Sequence, residues 1–268
     1  MNRRVAGLLI VVSFAATGCF VPKDATPGVA LGSTFATKFV HRGMTQVDGP
    51  VLQPRLAVTL PTVDEGTLSF NAAGNVDLTN DTGDAWFPNG HAGRFSEIDL
   101  FASYSRQLND TFRIAGGVFN YNLPNGLEFP NGERGATSEV FVILSADVLE
   151  TQPYIEWHYD FDEVRAAYYR AGITESFDLG EQWKLVLDGS LGYATSAQSQ
   201  WLYGLDTSAF ADLRGKAEVQ WMYDERTQLV ASVNGSAIMD SELDRWFNDV
   251  RVFDDDPIWF TLGVNWAF

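Results

Sequence analysis

The stretch QWKLVLDGSLGYA, residues 182–194, puts Trp183, Leu185, Leu187, Gly189, Leu191 and Tyr193 in one row and Lys184, Val186, Asp188, Ser190 and Gly192 in the other. Successive side chains of a strand point to opposite faces, so this period-two pattern reads as a strand with one apolar and one mostly polar face. A soluble sandwich would also accept such a strand, but its strands run to about 5–6 residues. Trp183 and Tyr193 are ten positions apart on one face. At about 3.3 Å per residue and a tilt near 45°, that separation spans roughly 24 Å. A transmembrane barrel requires an apolar band of about 25 Å with aromatic side chains at both rims.

The pattern recurs along the chain. Ala211, Leu213, Gly215, Ala217, Val219, Trp221 and Tyr223 oppose Asp212, Arg214, Lys216, Glu218 and Gln220, and the end of the sequence, IWFTLGVNWAF, alternates in the same way. Twelve stretches read as strands: 29–42, 51–60, 66–78, 96–107, 111–122, 138–149, 152–160, 165–177, 182–194, 209–223, 227–239 and 257–268. Their connections alternate between short turns and longer loops, the one exception being the short loop Phe161 to Val164. The expected fold is therefore all-β, a transmembrane antiparallel barrel of about twelve strands with both termini on the periplasmic side, where the short turns lie.

Charge and the first residues agree with this class. Lys+Arg 18 against Asp+Glu 35 leaves a net charge of −17, which opposes nucleic-acid binding because phosphate needs clustered basic charge. MNRRVAGLLIVVSFAATGC opens with Arg3 and Arg4, continues with a short apolar run from Val5 to Ala16 and ends on small residues. The run falls short of the roughly 20 residues of a spanning helix and has the layout of an export signal. Cys19, the only cysteine, follows Ala16-Thr17-Gly18 as in a lipobox, which makes it a lipidation candidate and excludes internal disulfides. The expected organisation is an export signal over 1–18, a linker over 19–28 and an outer-membrane barrel over 29–268.

With the polar rows assigned to the lumen, the pore-lining candidates are Lys38, Arg42, Arg55, Arg113, Arg170 and Arg214 against Glu97, Asp99 and Glu139. Such a lumen sorts small hydrophilic solutes and ions by sign and size. The same pairs could instead act as struts in a filled, closed barrel with a structural or surface-interaction role. Asp240, Glu242 and Asp244 are spaced like the start of a calcium loop, but Arg245 occupies the turn-glycine position, so solvation is expected there and no metal site. The histidines His41, His91 and His158 have no accompanying serine motif, and no phosphate loop or HExxH motif occurs, so neither catalysis nor a cofactor is expected.

The segment VALGSTFATKFVHRGMTQVDGPVLQPRLAV, 29–58, resembles the opening of the TorF-type putative porin family: a strand ending in Arg42-Gly43, a polar turn, then Pro50 and Gln53 leading a second strand. The resemblance implies a channel-like outer-membrane barrel and leaves the solute open. The last strand is similar to the terminal signature of outer-membrane proteins, with Trp266 and Phe268 as the assembly signal. Expected partners are therefore outer-membrane lipid and lipopolysaccharide, the barrel-assembly machinery and small hydrophilic solutes.

Overall fold

Alternating rows become a cylinder when every backbone N–H and C=O finds a partner on a neighbouring strand and no edge is left over, which is the condition for crossing hydrocarbon with strands. A computed structural model of the chain describes residues 21–22, 24–80, 92–124, 135–250 and 256–268. Cys19, His91 and the export signal lie outside the described residues.

Twelve strands close into an antiparallel barrel: β1 (Gly28–Ala36), β4 (Val51–Pro61), β5 (Thr67–Asp77), β6 (Phe95–Gln107), β7 (Phe112–Asn122), β8 (Ala136–Ala146), β9 (Thr151–Asp160), β10 (Ala167–Asp178), β11 (Trp183–Ala194), β12 (Ala209–Met222), β13 (Thr227–Ile238) and β14 (Ile258–Ala267). Each pairs with its neighbours in sequence, and β1 closes the ring against β14 in the register Leu31 to Trp266 and Phe35 to Leu262. Both ends of the barrel chain meet at the short-turn end, where the Phe268 N–H donates to the Val29 carbonyl.

The outer surface is the apolar row expected of a lipid-facing wall. Ile258, Phe260 and Leu262 on β14 are 63%, 57% and 63% exposed, and burying such surface in lipid rather than water gains about 25 cal/mol per Å². Aromatic pairs mark both rims. Trp183 and Trp221 stack at 5.5 Å near the short turns, while Tyr169, Tyr193 and Phe210 form a chain of rings toward the long loops. With its ring of hydrogen bonds complete and its apolar side chains outward, the molecule is an outer-membrane β-barrel.

The first loop differs from expectation. The strand foreseen over 29–42 stops at Ala36, and the chain then folds back on itself as a separate hairpin, β2 (Phe39–His41) with β3 (Met44–Val47). Its residues Arg42 to Val47 are buried, as are Ala36 and Val51 on the flanking strands. Two other long loops hold short helices, α1 (Ser196–Tyr203) and α2 (Ser241–Val250). The first carries no apolar stripe, the second has Leu243, Trp246, Phe247 and Val250 at helical spacing, and helices this short are held by packing rather than propensity. Leu202 and Tyr203 of α1, Leu243 of α2, and Met44 and Val47 of the hairpin form one dry cluster at the long-loop end. The acidic run at 240–244 is explained by α2. Oδ1 of Asp240 accepts from the N–H groups of Glu242 and Leu243, a helix N-cap.

Candidate functional site

The hairpin turns on only two residues, Arg42 and Gly43, between the paired His41 and Met44. Their φ angles of 46° and 81° are those of a type I′ turn, which normally carries Asn-Gly or Asp-Gly. Glycine is required at the second position on a further count: a Cβ on Gly43 would lie 2.5 Å from the Cβ of Asp212. Arginine at the first costs on the order of 1 kcal/mol of backbone strain, and its side chain supplies the reason it is tolerated.

Nη2 of Arg42 donates to both oxygens of Glu139, at 3.1 and 2.8 Å. The guanidinium lies 4.4 Å from the centre of the Tyr168 ring, a cation–π contact. The Tyr203 hydroxyl donates to the Arg42 carbonyl at 2.7 Å, and the His41 ring meets Tyr121 edge-on at 5.7 Å. Glu139 is on β8 and Tyr168 on β10. These strands flank β9, which is six places from β1 whether one counts around the barrel through β14 or through β4. A hairpin rooted between β1 and β4 therefore crosses the lumen and fastens its tip to the opposite wall.

The fastening continues as a chain of side chains. Glu139 also accepts from the Tyr121 hydroxyl at 2.8 Å and contacts Nδ1 of His158 at 2.7 Å. Nε2 of His158 contacts Glu156 at 3.3 Å, and Arg170 pairs with Glu156 at 3.4 Å. Arg170 reaches the Tyr168 hydroxyl, which donates to Asp212 at 2.6 Å, and Asp212 is bridged by Arg214 at 2.8 Å. Burial opposes the charge on Arg42, but the Glu139 carboxylate, with Tyr121 and Tyr168, outweighs it and holds the guanidinium still further into its charged form. Burial, and after it the positive charge of Arg42, keeps the His41 imidazole well below its ordinary value, hence neutral.

Beside the hairpin lies a polar chamber of about 460 Å³, bounded by Phe39 of β2 and the inner faces of β1, β4–β6 and β12–β14. Gln53, Arg55, Asn75, Glu97, Asp99, Glu218, Gln220, Gln228 and Asn265 line it. A second void at the hairpin tip, between His41, Arg42 and Glu139, measures about 20 Å³, room for about one water.

The expected pore-lining residues thus separate into groups. Arg55, Glu97 and Asp99 face the chamber, whereas Arg42, Glu139, Arg170 and Arg214 belong to the chain that fastens the hairpin. Arg42 stands on the hairpin turn and not on a barrel strand. Lys38 pairs with Asp48 at the hairpin root at 2.8 Å. Arg113 is at the short-turn end of β7, donating to Gln107 at 3.1 Å. Trp266 and Phe268 are on the exposed outer face near the closing seam. Sequence reasoning missed Tyr121, Tyr168 and Tyr203, because an aromatic residue in a barrel strand or loop looks the same whether it serves rim, wall or fastening. The readable sign was Arg-Gly between two alternating stretches, the spacing of a tight hairpin with an unusual residue at a left-handed position.

No protein-family model and no curated protein matches the chain. Among solved structures it is similar to the COG4313 outer membrane channel from Pseudomonas putida F1, at 12% identity over 92% of this chain and 97% of that one, with a TM-score of 0.54. The NanC porin matches at 11% identity over 88% and 98%, TM-score 0.53. LpxR from Salmonella typhimurium matches at 12% identity over 88% and 99%, TM-score 0.50. At these identities the likeness is one of fold: the chain shares the closed β-barrel architecture of outer-membrane proteins from end to end of its barrel.

Proposed function

We propose that the protein is a porin-like passive channel for small hydrophilic solutes or ions, with its lumen narrowed by the inward hairpin. The observation that carries this reading is the chamber of about 460 Å³ lined by amide and charged side chains. Its size is in the range of small-molecule sites, and its polar walls compensate a solute for the water it sheds. In this reading Arg55, Glu97 and Asp99 set sign preference, Lys38 and Arg113 flank the path, and Arg42, Glu139, Arg170 and Arg214 hold the constriction in place. The resemblance of residues 29–58 to the TorF-type putative porins supports the same reading, because the Arg42-Gly43 pair that carries it forms the turn of the constricting hairpin. An export signal, a lipid on Cys19, lipopolysaccharide contact and delivery by the barrel-assembly machinery belong to the proposal. Catalysis is not part of the proposal, in which His158, held by Glu139 and Glu156, belongs to the fastening chain.

One observation favours a second reading, a closed scaffold: the hairpin tip is held by a buried ion pair, a cation–π contact and a hydroxyl at once. Conductance of the detergent-refolded protein in a planar bilayer decides between them. Discrete steps with a reproducible ion preference support the channel, and silence from a correctly folded barrel supports the scaffold.

A further inference from the structure

The basic groups of the fastening chain are matched by acids. Arg42 pairs with Glu139, Arg170 with Glu156, and Arg214 with Asp212. Within the chamber, Glu218 is bridged by Lys216 at 3.4 Å. Glu97 and Asp99 are different. They are successive inward residues of β6, two positions apart on one face of the strand, and among the described residues neither forms a salt bridge to a base. Glu97 is 4% exposed, and Oδ1 of Asp99 is buried with no hydrogen-bond partner. Both face the chamber.

Two carboxylates side by side on one strand face repel each other unless a proton or a cation offsets their charge. Arg55, the arginine lining the chamber, does not neutralise them. It sits two strands away, opposite Ala73, which sits opposite Asp99, and among the described residues it forms no salt bridge to either acid. The Arg55 guanidinium donates instead to Asn71. A hard divalent ion would want six or more oxygen ligands, and no group of three acids is assembled among the described residues. The rest of the lining is amide-rich, with Gln53, Gln220 and Asn265 offering uncharged donors and acceptors.

Resting on the channel reading, we infer that the chamber takes small organic cations, ammonium or guanidinium solutes with further hydrogen-bonding groups, and that Glu97 and Asp99 select their charge. The cationic head lies against the carboxylate pair, and the amides receive the remainder of the solute.

L-Lysine and L-glutamate, alike except for the charged side chain, are the probes. Calorimetric titration of the full-length protein in detergent should show lysine binding at least about tenfold more tightly than glutamate, as one partly buried charge contact implies. Asp99→Asn with Glu97→Gln should erase that difference, with heat-modifiable migration checking the fold. Reversal potentials of the wild-type channel in a salt gradient should favour cations, a test that needs no variant. Conduction without cation preference and without lysine binding overturns the inference and leaves the channel standing. Lysine binding without conduction keeps the site and overturns the channel. The absence of both overturns both.

Discussion

At the scale of single residues, Arg42 decides most. Its ion pair with Glu139 is almost wholly buried, with side chains 7% and 2% exposed. Removing one partner of such a pair strands the other charge, at a cost of about 3–5 kcal/mol, whereas an apolar pair of similar volume can be nearly neutral. Glu139→Gln alone should therefore lower the stability of the folded barrel by about that amount in denaturant titration, and Arg42→Met combined with Glu139→Gln should recover much of it. His41 supplies a pH dependence. Its imidazole is held neutral in the folded protein, below its ordinary value, so the unfolded state takes up a proton first as the pH falls. The seat of the hairpin should be at full strength above about pH 6.5 and weaken below it. Hydrogen exchange at the amides of Met44 to Val47, corrected for intrinsic rates, should accelerate between pH 7.5 and 5.5, and His41→Phe should flatten the response. Period two assigns the strand charges Glu139, Arg170 and Arg214 to one face, but it misplaced Arg42, which stands on the hairpin turn and not on a barrel strand. Their partners were not legible, since a pair such as Arg42 and Glu139 is 97 positions apart and nothing local encodes it.

At the scale of elements, the barrel strands were the legible part. The stretch read as 182–194 forms β11 over Trp183–Ala194, and that read as 227–239 forms β13 over Thr227–Ile238, because a lipid-facing row and a lumen-facing row enforce strict alternation over a whole crossing. The alternation running through residues 29–42 misled for the same reason: Ala36 ends the barrel strand, yet Phe39 and His41 continue the rhythm inside the hairpin. Helix α1 was invisible because its eight residues carry no apolar stripe, whereas the ten residues of α2 do carry one, Leu243, Trp246, Phe247 and Val250 at helical spacing, set among acidic residues that read as a solvated loop. The hairpin also carries the most direct prediction at this scale. Replacing residues 39–47 by a short Gly-Ser linker should raise single-channel conductance several-fold, as removal of an obstruction across the lumen requires. Unchanged conductance in the shortened chain would mean that the path does not pass the hairpin.

At the scale of the whole molecule, the outer wall answers to lipid. Leu262, midway along β14 and 63% exposed, is expected to face the hydrocarbon core, and Leu262→Arg should destabilise the barrel by about 2–4 kcal/mol in bilayers. Equilibrium unfolding from vesicles measures this, and a change below about 0.5 kcal/mol would place the residue at an interface. The closing seam has a wider consequence. Strands β1 and β14 are the first and last of the barrel, and their pairing joins segments more than 220 positions apart in sequence. The root of the inward hairpin is bound to that same last strand, since Thr37 N–H donates to the Phe260 carbonyl and Phe260 N–H to the Thr37 hydroxyl. Contacts so distant in sequence form late and slowly. A half-assembled barrel is thus an open sheet without its obstruction in place, and the stitch that makes the wall watertight also seats the hairpin. Closing the wall and seating the hairpin are thus one event in this fold, since both depend on the same strand.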